Sequence, residues 1–440
     1  MKLSIFKNIF QYPKITSTKE LISHSLVALV IRTIGAGAAF VMSIVVSRYL
    51  GAEGAGYLFL GITVSTLIAT LGRVGADLSV LKYISIYSSK NEWPMIAAIL
   101  KVLLEWTYIP TLILSIFICC LSQPIATQIF HKPAFQWPLF WTSLSMPFFA
   151  GYNVYGMALQ AIKKVIFSVS GLRVLTPIFL ILFFLILKPE NANTSSFYYF
   201  LATVLNFIIC IYWWKKSTPT ISEKIVADTS TLWNTSKEFW IVAAMQQLVL
   251  WSGQFVAGIF VHDPAQIAQL AVARNTASLI TFILQAVNNV SAPRFATMAE
   301  AGNMNELKSY AKKSTRLMTI VALPITLLLC IFPKFILSLF GNDFEDGIYF
   351  LIIISIGQFI NVSTGSVAYL LSMCGHEKQL RNSRIVSGIA SIILALILTP
   401  LLGALGSAIS TAAALIISNL MALYLVKKHL GFSTMSMLGK

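Results

Sequence analysis

Apolar runs of about 20 residues recur along the whole 440-residue chain, and they constrain its fold more than any other feature. A helix of that length crosses the ~30 Å hydrocarbon core of a bilayer. Only helices or closed barrels satisfy every backbone polar group in lipid, and these runs are too long and too continuously apolar for barrel strands. Charged residues make up 11% of the chain, well below the average for soluble proteins. The sequence therefore predicts an all-α polytopic membrane protein.

The apolar pattern predicts twelve transmembrane helices. The first follows a basic N-terminus that lacks the short apolar core and cleavage site of a signal peptide, so we expect this helix to be retained. The predicted segments are 25–47, 57–79, 96–120, 138–160, 165–187, 196–214, 239–260, 266–291, 317–340, 348–373, 382–400 and 403–426.

Positive charges indicate how these segments are oriented. If the loops alternate sides, 24 of the 32 lysines and arginines lie in loops and termini on one side. The other side holds Arg48, Lys132, Lys188 and Lys334. Because loops rich in lysine and arginine stay in the cytoplasm, both termini are predicted to be cytoplasmic. Most of the net charge of +16 is therefore explained by the orientation of the helices in the membrane, and no nucleic-acid partner is expected.

Weak internal similarity favours a repeat of six helices. A shift of 212 residues aligns Leu50–Gly61 with His262–Ala273, and it aligns Leu159–Lys164 with Leu371–His376. Both pairs run in the same direction and occupy equivalent positions in the two sets of helices. Chance similarity between apolar segments is the alternative explanation.

The repeat predicts two six-helix lobes related by a pseudo-twofold axis along the membrane normal. The longest cytoplasmic loop falls near the middle of the chain and separates them. We therefore expect an N-terminal lobe at 1–214, a cytoplasmic linker at 215–238 and a C-terminal lobe at 239–440.

Three arginines lie deep inside predicted helices, seven or eight residues from one end: Arg32, Arg173 and Arg274. An arginine at a helix centre costs about 2.5–3.5 kcal/mol on insertion scales, so each one calls for an explanation. Arg274 begins a polar stripe whose spacings of 4, 3, 4 and 3 place it on one helical face. The stripe consists of Arg274, Ser278, Thr281, Gln285 and Asn288. Gln247 and Trp251 add polar and aromatic groups to the preceding helix.

Such polar helix faces are expected to lie against one another or against water. The alternative is that the polar groups only hold helices together and that the arginines extend towards the interface. Carboxylates inside the segments have cationic neighbours: Asp77 lies four residues after Arg73, and Glu105 lies four residues after Lys101. Cation antiporters and proton-coupled pumps generally need a buried acid, so a cavity with arginines and no free acid is predicted to select anions.

Several kinds of site are not expected. The five cysteines and five histidines show no ligand spacing, so neither a metal site nor a disulfide is predicted. No lysine follows a glycine-rich loop in the manner of a nucleotide-binding motif, and no cofactor is predicted. The longest outer loop, 122–137, contains no acid, which argues against a membrane-bound glycosyltransferase or polymerase. The chain is therefore interpreted as a protein other than an enzyme.

Two stretches carry a resemblance to a known family: IRTIGAGAAFVMSIVVSRYLGAEGAGYLFLG, and LGRVGADLSVLKYIS after it. They resemble the polysaccharide flippases of the multidrug/oligosaccharidyl-lipid/polysaccharide exporter superfamily, which are related to lipid II flippases. The resemblance covers nearly the whole chain. It implies two six-helix lobes that alternate between inward-open and outward-open states around a cationic cavity. Arg32 and Arg274 match the family's tendency to place cavity arginines on helices 1 and 8.

We therefore expect a flippase that moves an undecaprenyl-pyrophosphate-linked oligosaccharide across the bacterial inner membrane for surface polysaccharide synthesis. Arg32, Arg173 and Arg274 are expected to bind the pyrophosphate, because guanidinium groups match phosphate oxygens. The remaining substrate-binding residues are predicted to be Gln247, Trp251, Ser278, Gln285 and Asn288. The lipid-linked oligosaccharide, membrane lipids, a polysaccharide polymerase and glycosyltransferases are the expected partners. A drug or metabolite exporter on the same fold, or a structural partner in a polysaccharide assembly complex, are the alternatives.

The glycine-rich link SRYLGAEGAGYLFLG is predicted to form the outer hairpin between the first two helices. Its counterpart in the second lobe is His262–Ala273. The two hairpins are interpreted as elements of an outer gate, with Arg48, Glu53 and Gln266 as its residues.

Overall fold

The computed structural model describes residues 18–220 and 225–435, in which every regular element is a helix. The side chains of residues 18–29, of Arg32 and of six residues between 289 and 300 lie outside this description. The main helices are α1 Thr18–Gly72, α2 Ala76–Ser89, α3 Trp93–Cys120, α4 Gln136–Leu144, α5 Met146–Ala161, α6 Val165–Leu187, α7 Ala192–Ser217, α8 Thr229–Phe260, α9 Pro264–Ala277, α10 Phe282–Glu300, α11 Met304–Ile331, α12 Ile348–Ser363, α13 Val367–Met373, α14 Glu377–Leu402 and α15 Ala404–Leu430.

Ten of the described helical stretches are long and apolar enough to cross a bilayer, which confirms a polytopic all-helical membrane protein. The first two predicted segments fall within one such stretch, Thr33–Gly72, of 40 residues. The fourth predicted segment falls on α4 and α5, which have 9 and 16 residues. Neither is long enough by itself to cross a bilayer, since about 20 residues are required.

Gly51 divides α1 into an arm at 18–50 and an arm at 52–72. Its backbone has φ 65° and ψ −178°, a conformation that glycine adopts readily because it has no Cβ. The chain reverses at this residue, because Phe40 on the first arm and Phe59 on the second line the same cavity. The glycine-rich link is therefore a turn of one residue between two helical arms, shorter than the loop that the sequence suggested.

The two halves of the chain, 18–217 and 229–430, share an apolar core at one end of the bundle. We call this the hairpin end, because it contains Gly51 and the turn between α8 and α9. Leu58 and Leu60 from the first half pack there with Ala268 and Phe344 from the second, all fully buried. The opposite end, which we call the basic end, contains two smaller apolar clusters, and the cluster around Ile84 of the first half also includes Leu232 of α8.

Polar groups also join the two halves at the basic end. Gly75, with φ 72°, lies against α8: a Cβ added there would stand 2.2 Å from the carbonyl oxygen of Ser236. The Ser79 and Ser236 hydroxyls are 2.7 Å apart, and those of Tyr83 and Thr235 are also 2.7 Å apart. The stretch LGRVGADLSVLKYIS therefore forms this contact, with small and hydroxylated residues that allow two backbones to approach closely.

Helix also occupies both ends of the predicted linker 215–238. α7 continues to Ser217, and α8 begins at Thr229. The Asp228 carboxylate caps α8 by accepting hydrogen bonds from the backbone nitrogens of Ser230 and Thr231, at 3.0 and 3.3 Å. The start of α8 is thus set by a local capping signal some ten residues before the predicted apolar segment.

Candidate functional site

The first of two adjoining cavities between the halves has a volume of about 350 Å³, and we call it chamber A. Its walls come from α1, α6 and the consecutive elements from α8 to α10. Small residues bring α1 and α9 together around it, because α9 is rich in alanine. Its polar and charged lining residues are Arg173, Gln254, Arg274, Asn275, Ser278, Thr281 and Gln285.

Arg274 is the dominant charge in chamber A. Its guanidinium carbon lies 3.5 Å from the centre of the Trp251 ring, which is a close cation–π contact. Its Nη1 atom is buried and has no hydrogen-bond partner in the described part of the chain. A guanidinium held on an aromatic face with an unused donor is suited to bind an anion, because the missing partner is an acceptor.

Arg173 lines the same chamber from the first half. It lies in a π-helical turn of α6, Ser170–Val174, and π-turns are frequent at functional sites. Gly35 on α1 permits this position, since a Cβ there would stand 2.9 Å from the Arg173 Cβ. The glycine of the resembling stretch therefore makes room for a cavity arginine.

The second cavity, chamber B, has a volume of about 590 Å³ and extends towards the basic end. Arg173, Ser278, Thr281 and Gln285 line both chambers, so the two are continuous. Its other polar and charged lining residues are Gln160, Gln246, Asn288, Gln358, Asn361, Tyr369, Arg384, Ser418 and Asn419. No carboxylate lines either chamber among the residues that the structure describes.

The predicted polar stripe lies along both chambers. Arg274 lines chamber A and Asn288 lines chamber B, while the three residues between them line both. The stripe crosses a short 3-10 turn, Ser278–Thr281, in which the two hydroxyls donate to the carbonyls of Asn275 and Ser278 at 2.6 and 2.7 Å. The helix is therefore broken in the middle of the stripe, yet the side chains stay on the cavity side.

Three other predicted site residues, Gln247, Trp251 and Arg32, do not line the chambers with a free side chain that the structure describes. Gln247 donates a hydrogen bond of 3.0 Å to Thr70 in the contact between the halves, and its neighbour Gln246 lines chamber B instead. Trp251 has one ring face covered by Arg274. The backbone of Arg32 is helical in α1, and its side chain lies outside the described residues.

Arg384 is a chamber residue that the sequence did not single out. It lies close to the start of the predicted segment 382–400, whereas α14 begins at Glu377 and carries Arg384 about two turns into the helix. Its Nη1 donates to the Ser418 hydroxyl at 2.8 Å. Glu377 was the signal in the sequence for this earlier start, because an acidic residue is suited to the first turn of a helix.

The two predicted ion pairs form as their spacing indicated. Arg73 and Asp77 are 3.5 Å apart and largely buried, and the Arg73 Nη2 also donates to Thr70 at 2.8 Å. Lys101 and Glu105 are 3.9 Å apart on an exposed face. The buried carboxylate Asp77 therefore has a cationic partner, and within the described residues no group of three or more His, Cys, Asp or Glu side chains could hold a metal.

At the hairpin end, the two halves are linked by hydrogen bonds and close packing. Arg48 donates from Nε to the carbonyl of Leu339 at 2.8 Å. A Cβ at Gly56 would stand 2.0 Å from the Pro264 carbonyl, so the two predicted gate segments are in contact. Glu53 is exposed and accepts a 3.3 Å hydrogen bond from Tyr57, while Gln266 is half-buried in the first turn of α9.

Lys132, which the sequence assigned to an outer loop, is a further link at this end. Only 3% of it is exposed, and its Nζ donates to the carbonyls of Gly258 and Phe130 at 2.8 and 3.0 Å. Gly258 belongs to the last turn of α8, where carbonyl groups lack helical partners. Burial lowers the pKa of Lys132 to about 8.

Three solved structures with a similar fold are two multidrug transporters and a flippase. A multidrug resistance MATE family transporter of the MOP superfamily in an inward-facing conformation superposes with a TM-score of 0.73 at 11% identity, over 92% of this chain and 98% of the other. The lipid II flippase MurJ in an inward closed conformation gives a TM-score of 0.69 at 16% identity, over 92% of this chain and 87% of the other. The MATE multidrug transporter DinF-BH gives a TM-score of 0.67 at 17% identity, over 97% of this chain and 98% of the other. At these identities the likeness shows the fold alone.

Family models add sequence evidence to the fold. No curated protein matches the chain. Residues 242–380 match the MatE family model. Residues 21–299, more than half of the chain, match the model described as polysaccharide biosynthesis protein. The chain therefore belongs to the polysaccharide biosynthesis protein family.

Proposed function

We propose that the protein is a flippase for an undecaprenyl-pyrophosphate-linked oligosaccharide, which it moves across the bacterial inner membrane by alternating access. One observation carries the proposal: Arg274 presents a buried, unpartnered donor in a cavity whose described lining holds no carboxylate. A buried cation without a counter-ion is costly, and a phosphate group would supply both the charge and the hydrogen-bond acceptors.

The arginines have distinct positions in this proposal. Arg274 binds the pyrophosphate from the second half of the chain, and Arg173 binds it from the first. Arg32 remains a third candidate by its place on α1. The lipid tail stays in the bilayer while the charged headgroup enters the chambers.

We propose that the chain crosses the membrane twelve times in two lobes, 1–214 and 239–440. The 40-residue stretch Thr33–Gly72 then counts as two crossings that meet at Gly51. The pair α4 and α5 counts as one broken crossing. The basic end faces the cytoplasm with both termini, as the distribution of lysine and arginine indicates.

The proposed cycle exchanges contacts at the two ends. The hairpin end is closed by a shared apolar core, by Arg48 and by Lys132. Release on the outer side requires these contacts to separate. An inside-negative potential favours outward movement of an anion by ~2.3 kcal/mol per charge per 100 mV, and this assists a pyrophosphate on its way out.

Drug or metabolite export is the second candidate function. The match of residues 242–380 to the MatE model favours it, together with two structural neighbours that are named as multidrug transporters. Drug antiporters that exchange cations generally need a buried carboxylate for coupling. The chambers, whose described lining holds no carboxylate, therefore support the flippase over the exporter.

The test replaces Arg274 with Ala and with Lys in a strain that lacks its own flippase. We expect Arg274→Ala to lower surface polysaccharide at least about tenfold, because a charge-assisted hydrogen bond contributes about 1.5–3 kcal/mol. Arg274→Lys is expected to restore only part of it, since an ammonium group lacks the fork of a guanidinium. Surface polysaccharide is measured by immunoblot at matched protein level.

The matched control is Arg316→Ala, which removes an exposed arginine outside both chambers. Full export by both Arg274 variants would remove this residue from the mechanism. Resistance to a cationic drug conferred by the wild-type protein, with no effect on polysaccharide, would favour the exporter.

A further inference from the structure

Chamber B differs in chemistry from chamber A. Seven of its 19 lining residues carry a primary amide. These are Gln160, Gln246, Gln285, Asn288, Gln358, Asn361 and Asn419. Chamber A has three amides among 18 lining residues. Polar side chains inside a membrane protein are costly and usually functional, so a concentration of amides in one chamber requires a ligand or a role.

These amides come from five helices, α5, α8, α10, α12 and α15, so they surround the chamber. Two of them are oriented by protein contacts. Asn361 donates to the side-chain oxygen of Gln358 at 3.1 Å, and Asn419 donates to the Leu415 carbonyl at 2.8 Å. Asn288 is 8% exposed, and its Oδ1 has no hydrogen-bond partner among the described residues. The chamber therefore combines fixed amides with an unused buried acceptor.

An amide offers two donors and a carbonyl acceptor without net charge. A ligand that matches many amides must both donate and accept at many points. A phosphate accepts only and an organic cation donates only, whereas each sugar hydroxyl does both. Arg384, held by Ser418, and the phenol of Tyr369 add further donors at the wall.

We propose that chamber B is a saccharide subsite, in which the amides of α8, α12 and α15 bind the sugar residues next to a pyrophosphate held in chamber A. This inference rests on the proposed function. It adds Gln246, Gln358, Asn361 and Asn419 as the residues that recognise the glycan through hydroxyl and acetamido groups. Because the chambers are continuous at Gln285, one headgroup occupies both.

The experiment compares two probes on the purified full chain in lipid nanodiscs: undecaprenyl pyrophosphate, and the same lipid carrying one N-acetylglucosamine. The acetamidosugar is chosen because its hydroxyl and acetamido groups offer both donors and acceptors. We expect the wild-type protein to bind the sugar-bearing lipid about tenfold more tightly, since each added hydrogen bond contributes on the order of a factor of ten. Native mass spectrometry or thermophoresis gives both affinities.

Amide variants should abolish the preference for the sugar and spare the lipid itself. Asn361→Leu and Asn419→Leu keep a similar size, and they act from α12 and α15. Each is expected to bring the ratio of the two affinities close to one, with unchanged affinity for undecaprenyl pyrophosphate, which also reports correct folding. Arg274→Gln is expected to weaken both probes equally. Gln123→Met, at an exposed amide outside both chambers, is the matched control and should keep the wild-type ratio.

The outcomes separate the two proposals. Equal affinity of the wild-type protein for both probes would overturn the saccharide subsite and leave the proposed function standing. An unchanged ratio in both amide variants would also overturn it. Absence of any binding of undecaprenyl pyrophosphate to the wild-type protein would overturn the proposed function instead.

Discussion

The Lys132 ammonium lies 2.8 Å from the carbonyl oxygen of Gly258 and thereby joins the two halves of the chain at the end of α8. The lysine belongs to the first half, and the carbonyl belongs to the last turn of a helix in the second. Cations near a helix C-terminus are favourable, because its carbonyl groups carry partial negative charge. A residue that the sequence places in an outer loop is therefore part of the closed hairpin end.

Opening of the hairpin end should depend on pH through Lys132. Its pKa is about 8 when buried, compared with 10.5 for the free side chain. Burial outweighs the attraction of the Gly258 carbonyl, so the closed state disfavours the charged form of Lys132. Closure therefore becomes relatively more favourable as the pH rises from about 8 towards 10.5. Asp263 is the charged group that acts on the lysine, and it opposes the effect of burial.

Spin labels at Glu53→Cys and Gln266→Cys, in a chain without its native cysteines, would measure how the opening of the hairpin end depends on pH. We expect the fraction with a long label-to-label distance to fall between pH 7 and pH 9.5. Lys132→Met should remove that dependence. A pH response that persists in Lys132→Met would assign it to another group.

The gate interpretation makes a cross-linking prediction. Glu53→Cys and Gln266→Cys, with the five native cysteines replaced, should form a disulfide while the hairpin end is closed, because Gly56 and Pro264 hold the two segments in contact. Oxidation should block export, and reduction should restore it. If no cross-link forms in any transport state, these residues do not belong to a gate.

Gly75→Ala should destabilise the contact at the basic end. A Cβ there would lie 2.2 Å from the Ser236 carbonyl oxygen, and φ is 72°. The strained backbone and the clash are expected to cost about 1–3 kcal/mol. Thermal unfolding in detergent gives the change, and export should fall with it. Gly37→Ala is the matched control on α1, since an added Cβ meets nothing within 4 Å. Equal melting temperatures for Gly75→Ala and the wild type would contradict the contact.

Trp251 is predicted to position Arg274 for anion binding. Cation–π contacts contribute about 0.5–2 kcal/mol, so loss of the ring should weaken inorganic pyrophosphate binding by a factor of about 2 to 30. We expect Trp251→Leu to show this loss and Trp251→Phe to retain most of the affinity, as measured by calorimetry. Equal affinities for the two variants would mean that the ring acts only by filling space.

The polar stripe from Arg274 to Asn288 could be predicted because its spacing is a property of the sequence. The sequence predicted that Gln247 binds substrate, but Gln246 lines the chamber and Gln247 lies in the contact between the halves. The two residues are neighbours, which are about 100° apart around a helix. Nothing in a single helical pattern fixes that angle, because it depends on the neighbouring helix. The cavity side of a helix with polar residues on two faces is therefore decided by packing.

The boundaries of the helices set the other limit. Arg384 was missed because hydropathy places it near the start of a segment at 382–400, whereas α14 begins earlier, at the polar residue Glu377. Lys132 was missed for a related reason: its burial comes from α8, which is 126 positions away in the chain. Long-range contacts of this kind leave no local trace in composition.

The shared apolar core at the hairpin end has a consequence for the membrane itself. A polar path left open across the bilayer would let small ions pass and would dissipate the membrane potential. The fully buried Leu58, Leu60, Ala268 and Phe344 close that path with groups that solvate no ion. The same packing that closes one end of the molecule therefore acts as an electrical insulator, so that a protein with a wide polar interior does not discharge the membrane in which it lies.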